Sequence, residues 1–447
     1  PPRSTLFPYT TLFRSPYGGG NDSPRPASQR AAALILTAAM LTTLTAPAFA
    51  KEWYIEEGDI TVRAGETEGT NKVSQGENPE VEDTNTVITN SDKDKASSNT
   101  VTIEAKDKDD KVEVTLKDVN IDTSSRSEAA VSVTGEGNTN IELDGDNELK
   151  SGIYSSGISS SGSLTISGGE NDSLTAQGGS GADGISSSGS LTISGGTVTA
   201  NGGSSGAGDG GDGIWSSGGV TISGGSTVTA NGGNGGNVSG AGIISDGGVT
   251  ISGGTVKAAG GDSKDGYGGD GIRSGGGVTI SGNTVNAAGG NGGKVGGYGI
   301  CSFDRVAISG GTVEAAGGNG STGGGSGIYS SVIDLSGSLE LTAKAGSPNG
   351  KALSRAGSEL DLDTIKDKLG PGAKVTATDA NGETKQVSVP RPVEPEKPVI
   401  PEESSSSSDG GSATPSAPAS PLPGLTVTDK DGQRISYTST QIGRAHV

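Results

Sequence analysis

Cysteine, histidine and aromatic residues are scarce in this sequence of 447 residues. The single cysteine, Cys301, excludes a disulfide within the chain. The single histidine, His446, leaves no residue with which a Ser-His-Asp catalytic triad could be built elsewhere. Aromatic residues make up 3% and all hydrophobic residues 29% of the sequence, which is too little for an ordinary compact core. Stability must therefore come from a regular arrangement of few aliphatic residues.

Positive charge is also in short supply. The formal net charge of −20 at pH 7 argues against binding to nucleic acid or to anionic lipid. The one long apolar run, residues 31–44, is too short to span a membrane as a helix. It follows Arg25 and Arg30 and precedes an A-x-A site at residues 48–50, which is the pattern of a secretory signal peptide. We therefore predict a signal peptide at residues 21–50 and a secreted or cell-surface chain, expected to be a monomer with no membrane span after cleavage.

Both ends of the chain carry sequence that differs from the rest. Residues 3–15 (RSTLFPYTTLFRS) and residues 442–447 (IGRAHV) resemble translated sequencing-adapter read-through. Residues 1–20 and the last residues are therefore expected to be non-native, and we leave them out of the fold prediction.

Glycine is abundant, with 81 residues, and much of it belongs to one repeat. Each copy contains Gly-Ile, a Ser/Gly spacer, Val-Thr-Ile-Ser-Gly-Gly, Thr-Val-x-Ala and Gly-Gly, and the copies recur every 27 to 29 residues. A fixed period of this length is typical of repeat architectures. The isoleucines that open the copies are Ile158, Ile185, Ile214, Ile243, Ile272, Ile300 and Ile328.

The alternation within each copy predicts an all-β fold. In residues 220–223, Val220 and Ile222 point to one face of a strand and Thr221 and Ser223 to the other. If one copy forms one turn of a coil, equivalent aliphatic residues stack in columns about 4.8 Å apart. The sequence thus predicts a single-stranded parallel β-helix, expected to be right-handed, with turns of about 28 residues. A β-propeller is the alternative, but its blades need about 40 residues or more.

The regularity of the repeat divides the chain. Residues 51–151 are predicted to form irregular first turns, and residues 152–346 regular turns. Residues 347–389 are predicted to cap the coil through a short helix at 360–369 and a hairpin around residues 379–382. Residues 390–424 are rich in Pro, Ser and Glu and are expected to form a disordered linker. Residues 425–447 read as a truncated β segment with a non-native end.

Two groups of acidic residues make Ca²⁺ a candidate cofactor. The first group has even spacing, which would place each string of three on one outward strand face, where a hard cation could bind. These strings are Asp118, Asn120, Asp122 and Glu142, Asp144, Asp146. The second group lies in the repeats, where residues 178–185 fit the G-G-x-G-x-D-x-U pattern of calcium-binding β-rolls, with Asp183 at the acidic position. Asp212 takes the same place before Ile214 in the next copy, where the match departs at a glycine. The alternatives are a hydrated acidic face and glycine corners that fit the pattern for structural reasons.

The residue after each repeat isoleucine is expected to point outward, and this column varies more than any other. It reads Ser159, Ser186, Trp215, Ile244, Arg273, Cys301 and Tyr329. Tyr267 and Tyr298 lie in the adjoining loops, and Asp270 lies beside Arg273. Aromatic rings next to charged groups suit a sugar chain, because rings stack on pyranose faces while polar groups bond to hydroxyls. The column is therefore a candidate carbohydrate-binding groove, and an ordinary variable surface is the alternative.

Residues 99–346 carry a resemblance to a known family. The segments LKDVNID, IELDGDNELKSG and the copies of SLTISGGTVTANGG are similar to bacterial extracellular β-helix proteins described as carbohydrate-binding-domain proteins. The resemblance implies a β-helix outside the cell, calcium as a bound ion, and a plant-wall polysaccharide such as polygalacturonate as ligand.

Catalysis is not expected. Polysaccharide lyases and hydrolases need a Lys or Arg base or a pair of carboxylates across the sugar, and Lys and Arg are sparse in the repeats. We predict a non-catalytic polysaccharide-binding or glycan-binding protein. A structural or adhesive rod without a small ligand is the alternative, and a polysaccharide lyase or binding of ice to the Thr/Ser columns are further alternatives.

Overall fold

The computed structural model describes residues 51–392. Within them the chain coils into a parallel β-solenoid of about ten turns, each of about 28 residues. The predicted non-native start, signal peptide, most of the linker and the last β segment lie outside the described residues. The predicted all-β fold with turns of this length is confirmed.

Each regular turn contributes one short strand to each of three stacked faces, which we name in chain order within a turn. Face A begins at the repeat isoleucine. Its strands are Ile60–Ala64, Val101–Glu104, Val131–Thr134, Ile158–Ser160, Ile185–Ser187, Ile214–Ser216, Ile243–Ser245, Ile272–Ser274, the first residues of Ile300–Ala316 and Ile328–Lys344, and Leu353–Arg355. Successive strands pair in parallel along the whole face.

Face B holds the Val-Thr-Ile strands. They are Glu52–Tyr54, Val87–Thr89, Lys111–Lys117, Asn138–Asp144, Ser163–Gly168, Ser190–Ile193, Gly219–Ile222, Gly248–Ile251, Gly277–Ile280 and the middle of the two long strands. Face C holds the Thr-Val-x-Ala strands. They are Asn120–Asp122, Asp146–Lys150, Ser173–Gln177, Thr197–Asn201, Thr227–Asn231, Thr255–Ala259, Thr284–Ala288, the ends of the two long strands, and Lys374–Thr378.

The inward side chains form the predicted columns. Ile193 lies in register with Ile222, and Ile222 with Ile251, one turn apart. All three are fully buried. Since each buried Ile or Val contributes roughly 1.5–3 kcal/mol, a narrow aliphatic interior compensates for the low hydrophobic content.

The first turns depart from the parallel pattern. Strands Asn71–Gln75 and Val81–Asp83 leave the coil and pair antiparallel with Ile60–Ala64 and with each other. The indole N–H of Trp53 donates a hydrogen bond to Asp83 at 2.7 Å, which fixes the end of this excursion to the first turn. A short 3-10 helix, Ile55–Glu57, lies between the first two strands.

Between faces C and A, each regular turn makes a glycine-rich loop whose two arms are tied to the loops above and below. The backbone N–H of Gly240 donates a hydrogen bond to the carbonyl oxygen of Gly233 at 2.9 Å. In the same way, the N–H of Gly261 donates to the carbonyl oxygen of Gly240, and the N–H of Gly269 to that of Gly261, each at 2.9 Å. This series of backbone hydrogen bonds, in which each glycine donates to an earlier one, continues through the following turns to Gly346. A side chain does not fit where the glycines of neighbouring loops meet, because a Cβ on Gly290 would lie 1.9 Å from the carbonyl oxygen of Gly261.

The C-terminal end is capped as predicted. The 3-10 helix Leu362–Lys368 buries Leu362 and Ile365, and strands Lys374–Thr378 and Thr384–Ser388 form an antiparallel hairpin. The short strand Ser358–Glu359 pairs antiparallel with the last strand of face A. Among residues 51–392, no helix is long and apolar enough to cross a membrane.

Candidate functional site

At the position that follows the repeat isoleucine on face A, the large side chains all fall within five consecutive turns. The residue after the repeat isoleucine lies in register from turn to turn as Ser132, Ser159, Ser186, Trp215, Ile244, Arg273, Cys301, Tyr329 and Ser354. We call the part from Trp215 to Tyr329 the face A row. Serines flank it on both sides, and at about 4.8 Å per turn it extends roughly 19 Å along the coil.

The residues on either side hold each row residue outward. In the strand Ile214–Ser216, Ile214 and Ser216 are fully buried while Trp215 between them is half-buried. The Ser216 hydroxyl hydrogen-bonds the carbonyl oxygens of Gly189 at 2.9 Å and Gly219 at 3.1 Å, which closes the corner towards face B. Because strand side chains alternate, burial of the first and third residues forces the middle one to the surface.

The two tyrosines at the end of the row form a platform. The rings of Tyr298 and Tyr329 stack with their centroids 5.0 Å apart and their planes inclined by 21°. Burial raises the pKa of Tyr298, and the Cys301 thiol and Asp270 carboxylate nearby add to the rise. Cys301 itself is only 1% exposed, so it does not offer its side chain to a ligand. Burial raises the pKa of its thiol to about 12.

Arg273 and Asp270 lie together in the middle of the row. Asp270 is 7% exposed and accepts a hydrogen bond from the backbone N–H of Tyr298 at 2.7 Å. Its other oxygen lies 3.4 Å from the Arg273 guanidinium, which also lies 5.2 Å from the centroid of the Phe303 ring. Burial raises the pKa of Asp270, and the Tyr298 N–H and Arg273 oppose that rise. The structure thus buries the acidic member of this ion pair and leaves the basic member at the surface.

Phe303 belongs to this site although the sequence prediction missed it. Its ring is 55% exposed and lies beside Arg273. It occupies a spacer position that holds Ser217 or Gly275 in other turns. A phenylalanine where the repeat has Ser or Gly was the available signal.

Tyr267 is not part of the row. It lies in register with Val238 and Val295 in a separate column at the tip of the glycine loops, and is 49% exposed. The structure thus brings Trp215, Arg273, Tyr329, Tyr298 and Asp270 to the row but places Tyr267 elsewhere.

Asp183 and Asp212, predicted as calcium ligands, bind the backbone of the next turn. Asp183 Oδ1 accepts the N–H of Asp212 at 2.8 Å, and Asp212 Oδ1 accepts the N–H of Ala241 at 2.6 Å. Burial raises the pKa of Asp212 to about 7, and the charge of Asp183 adds to the rise. Burial also raises the pKa of Asp183. The acidic position of the repeat therefore joins consecutive turns.

Neither string of the other calcium candidates lies on a single strand. Asp118 lies at a corner with φ of 49° before the strand Asn120–Asp122, and Gly145 with φ of 73° separates Asp144 from Asp146. The prediction of one outward face for each string is wrong, because both strings cross the corner between faces B and C.

Neighbouring groups occupy several of these acidic side chains. Asp122 forms an ion pair with Lys150 at 2.8 Å, and Asp118 accepts the N–H of Asp146 at 3.1 Å. Glu142 lies on face B in register with Thr115, whereas Asp122 lies on face C in register with Lys150. Within residues 51–392, no three His, Cys, Asp or Glu side chains are grouped so that they could hold a metal ion. Calcium binding stays a prediction of the sequence.

The chain is a parallel β-solenoid, and its face A row differs from the serines at the same position in the flanking turns. Comparisons of the chain with protein-family models, with curated protein sequences and with solved structures gave no match. What the face A row does must therefore be argued from its own chemistry.

Proposed function

We propose that this chain is a non-catalytic extracellular protein that binds a polysaccharide along the face A row. The observation that carries the proposal is the confinement of large and charged side chains to the turns from Trp215 to Tyr329, between turns with serine at the same position. An ordinary variable surface would not restrict the large side chains of one column to five neighbouring turns.

The row offers the groups that sugars use. Trp215, Phe303 and the outer faces of the Tyr298 and Tyr329 stack present rings for the apolar faces of pyranoses. Arg273 provides guanidinium N–H groups for ring hydroxyls next to those rings. Because the groups repeat along the coil axis, the row suits an extended chain that runs in the same direction.

The carboxylate in the row supports binding rather than catalysis. Glycoside hydrolysis requires a pair of carboxyl groups that reach the bond to be broken. Asp270 is 7% exposed, and its oxygens face the Tyr298 N–H and Arg273. Its role in this account is to hold Arg273 and the Tyr298 backbone in place. The extracellular location rests on the predicted signal peptide and on the family resemblance.

Binding of the full-length chain to an array of plant, bacterial and animal polysaccharides tests the proposal. We expect retention of at least one polysaccharide class and no release of reducing ends or unsaturated sugars from it. Failure to bind any polysaccharide would reject the proposal and favour the alternative of a structural rod. Cleavage of the bound polysaccharide would show that the protein is an enzyme.

A further inference from the structure

A concave site lies on face B in the first turns, away from the face A row. The cleft has a volume of about 270 Å³. Its floor is the outward side of strands Lys111–Lys117 and Asn138–Asp144. Its walls are the tip of the antiparallel excursion, at residues 68–71, and the segment 84–86 that returns the chain to the coil. The excursion therefore forms an overhang above an otherwise open face.

Buried hydrogen bonds fix this overhang to the floor. The amide Nδ2 of Asn71 donates to Thr86 Oγ1 at 2.9 Å and to the backbone oxygen of Glu113 at 2.7 Å. Asn71 is 6% exposed and Thr86 is 1% exposed. Since an amide that bridges two segments in a buried position is costly to pull apart, the cleft is a built feature rather than a gap between mobile loops.

The cleft contains carboxylates without cationic partners. Glu68, Glu113 and Glu142 line it, and none of them forms an ion pair among the described residues. Glu113 accepts one long hydrogen bond, from the Asn140 amide at 3.4 Å. Lys111 is the one cationic side chain in the lining. The lining therefore carries a formal charge of −2 at neutral pH, from three carboxylates and one ammonium.

The three carboxylates do not all converge on one point. Within residues 51–392, no three acidic side chains are close enough to share a metal ion. A ligand that satisfies them must therefore be a molecule with several hydrogen-bond donors. Thr84, Asn85, Thr115 and Asn140 complete the lining with groups that both donate and accept hydrogen bonds. Such groups match sugar hydroxyls, whereas a lone basic side chain of a peptide would use only the carboxylates.

We propose that the cleft between the overhang and face B binds a saccharide that carries a free amino group. The protonated amine pairs with Glu113 and Glu142, and the hydroxyls bond to the amide and hydroxyl groups around them. A uronic acid is disfavoured, because its carboxylate would enter a negatively charged lining. This site is separate from the face A row, and its ligand is distinguished by a positive charge.

Isothermal titration of the full-length chain with a glucosamine tetramer tests the proposal at pH 6 and physiological ionic strength. Glu113→Gln and Glu142→Gln remove one charge each without changing side-chain shape, and Glu68→Gln does the same on the overhang. Glu170→Gln is the matched control, since Glu170 is exposed at a corner outside the cleft. The fully N-acetylated tetramer is the second probe. Melting curves of each variant report whether the fold is kept.

We expect each floor variant to weaken binding of the glucosamine tetramer about tenfold, which is 1.4 kcal/mol. We expect Glu170→Gln to leave the affinity within twofold, and the N-acetylated tetramer to bind at least tenfold more weakly. Equal weakening by Glu170→Gln would overturn the proposal in favour of general attraction to a chain of net charge −20. Equal affinity for the N-acetylated tetramer, or no binding of either probe, would also overturn it. These outcomes would leave the proposal for the face A row unaffected, because that proposal is tested with Trp215 variants.

Discussion

Asp212 Oδ1 accepts the backbone N–H of Ala241, one turn further along the coil, at 2.6 Å. Asp183 makes the same contact with Asp212, and Asp270 with Tyr298. The side chain thus satisfies a backbone donor where the glycine loop returns to face A. A buried N–H without a partner would be costly, so this acidic position has a structural role in the repeat.

Stability should depend on pH through Asp212. The pKa of about 7 in the folded state exceeds the ordinary value of 3.8, so the folded protein binds this proton more tightly than the unfolded chain. The free energy of unfolding therefore falls as pH rises from about 4 to 7, and over pH 5 to 8 this group alone lowers it by about 3 kcal/mol. Asp212→Asn keeps the acceptor oxygen but cannot ionise. We expect the variant to be more stable than the wild type at pH 8 and similar at pH 5.

Denaturant unfolding at both pH values measures this difference. Comparing variant with wild type at each pH removes the contribution of other carboxylates, such as Asp59 and Asp334, whose pKa values are lowered and which act in the opposite direction. Asp246→Asn, an exposed residue in the next turn, serves as control. A difference between Asp212→Asn and wild type that does not change with pH would contradict the account.

The glycine column should not tolerate a methyl group. A Cβ on Gly290 would lie 1.9 Å from Gly261 O, whereas a Cβ on Gly225 would have no atom within 4 Å. We expect Gly290→Ala to destabilise the fold by about 3 kcal/mol or more, because the turns must separate to admit it. Gly225→Ala should be neutral or stabilising by about 0.4–1 kcal/mol. Thermal unfolding of both variants decides the matter, and equal melting temperatures would show that the loops are not packed as described.

Thr139 places a polar side chain at an inward position of the coil. Thr139 lies in a core column between Val112 and Leu164 and is 2% exposed. Its hydroxyl has no hydrogen-bond partner in the described part of the chain. Since a buried unsatisfied hydroxyl costs about 1–3 kcal/mol, Thr139→Val should raise the free energy of unfolding by about that amount. Chemical denaturation checks this, and a destabilised Val variant would mean that the hydroxyl has a partner.

The single thiol should report on unfolding. Cys301 is 1% exposed, and burial raises its pKa to about 12. Because the thiolate is the reactive form, alkylation at pH 8 should be slow in the native protein and fast in denaturant. Mass spectrometry after a timed pulse of iodoacetamide measures both rates. Rapid labelling under native conditions would show that the Tyr298 and Tyr329 end of the row is open.

The periodicity of the sequence was enough to predict the coil, its turn length and its aliphatic columns. Ile193 and Ile222 lie in register, as their 29-residue separation indicated. The cap at the C-terminal end was also predicted, because helix and hairpin signals follow the last repeat. These features depend on local alternation and on spacing, both of which are present in the sequence itself.

Features that depend on corners and loops could not be predicted in the same way. Even spacing placed Asp144 and Asp146 on one strand, but the positive φ of Gly145 turns the chain between them. The pattern around Asp183 indicated calcium, whereas the carboxylate accepts a backbone N–H of the next turn. The antiparallel excursion and the stacking of Tyr298 on Tyr329 arise from tertiary contacts that no repeat period encodes.

The central claim is that the face A row binds an extended polysaccharide. Trp215→Ser and Tyr329→Ser test it with little risk to the fold, since Ser186 and Ser354 occupy the same position in the neighbouring turns. Thr250→Ala, on exposed face B, is the matched control. For a polysaccharide retained by the wild-type chain, we predict that each serine variant weakens binding at least tenfold, or 1.4 kcal/mol, and that the control is unchanged. Wild-type affinity in both serine variants would contradict the claim.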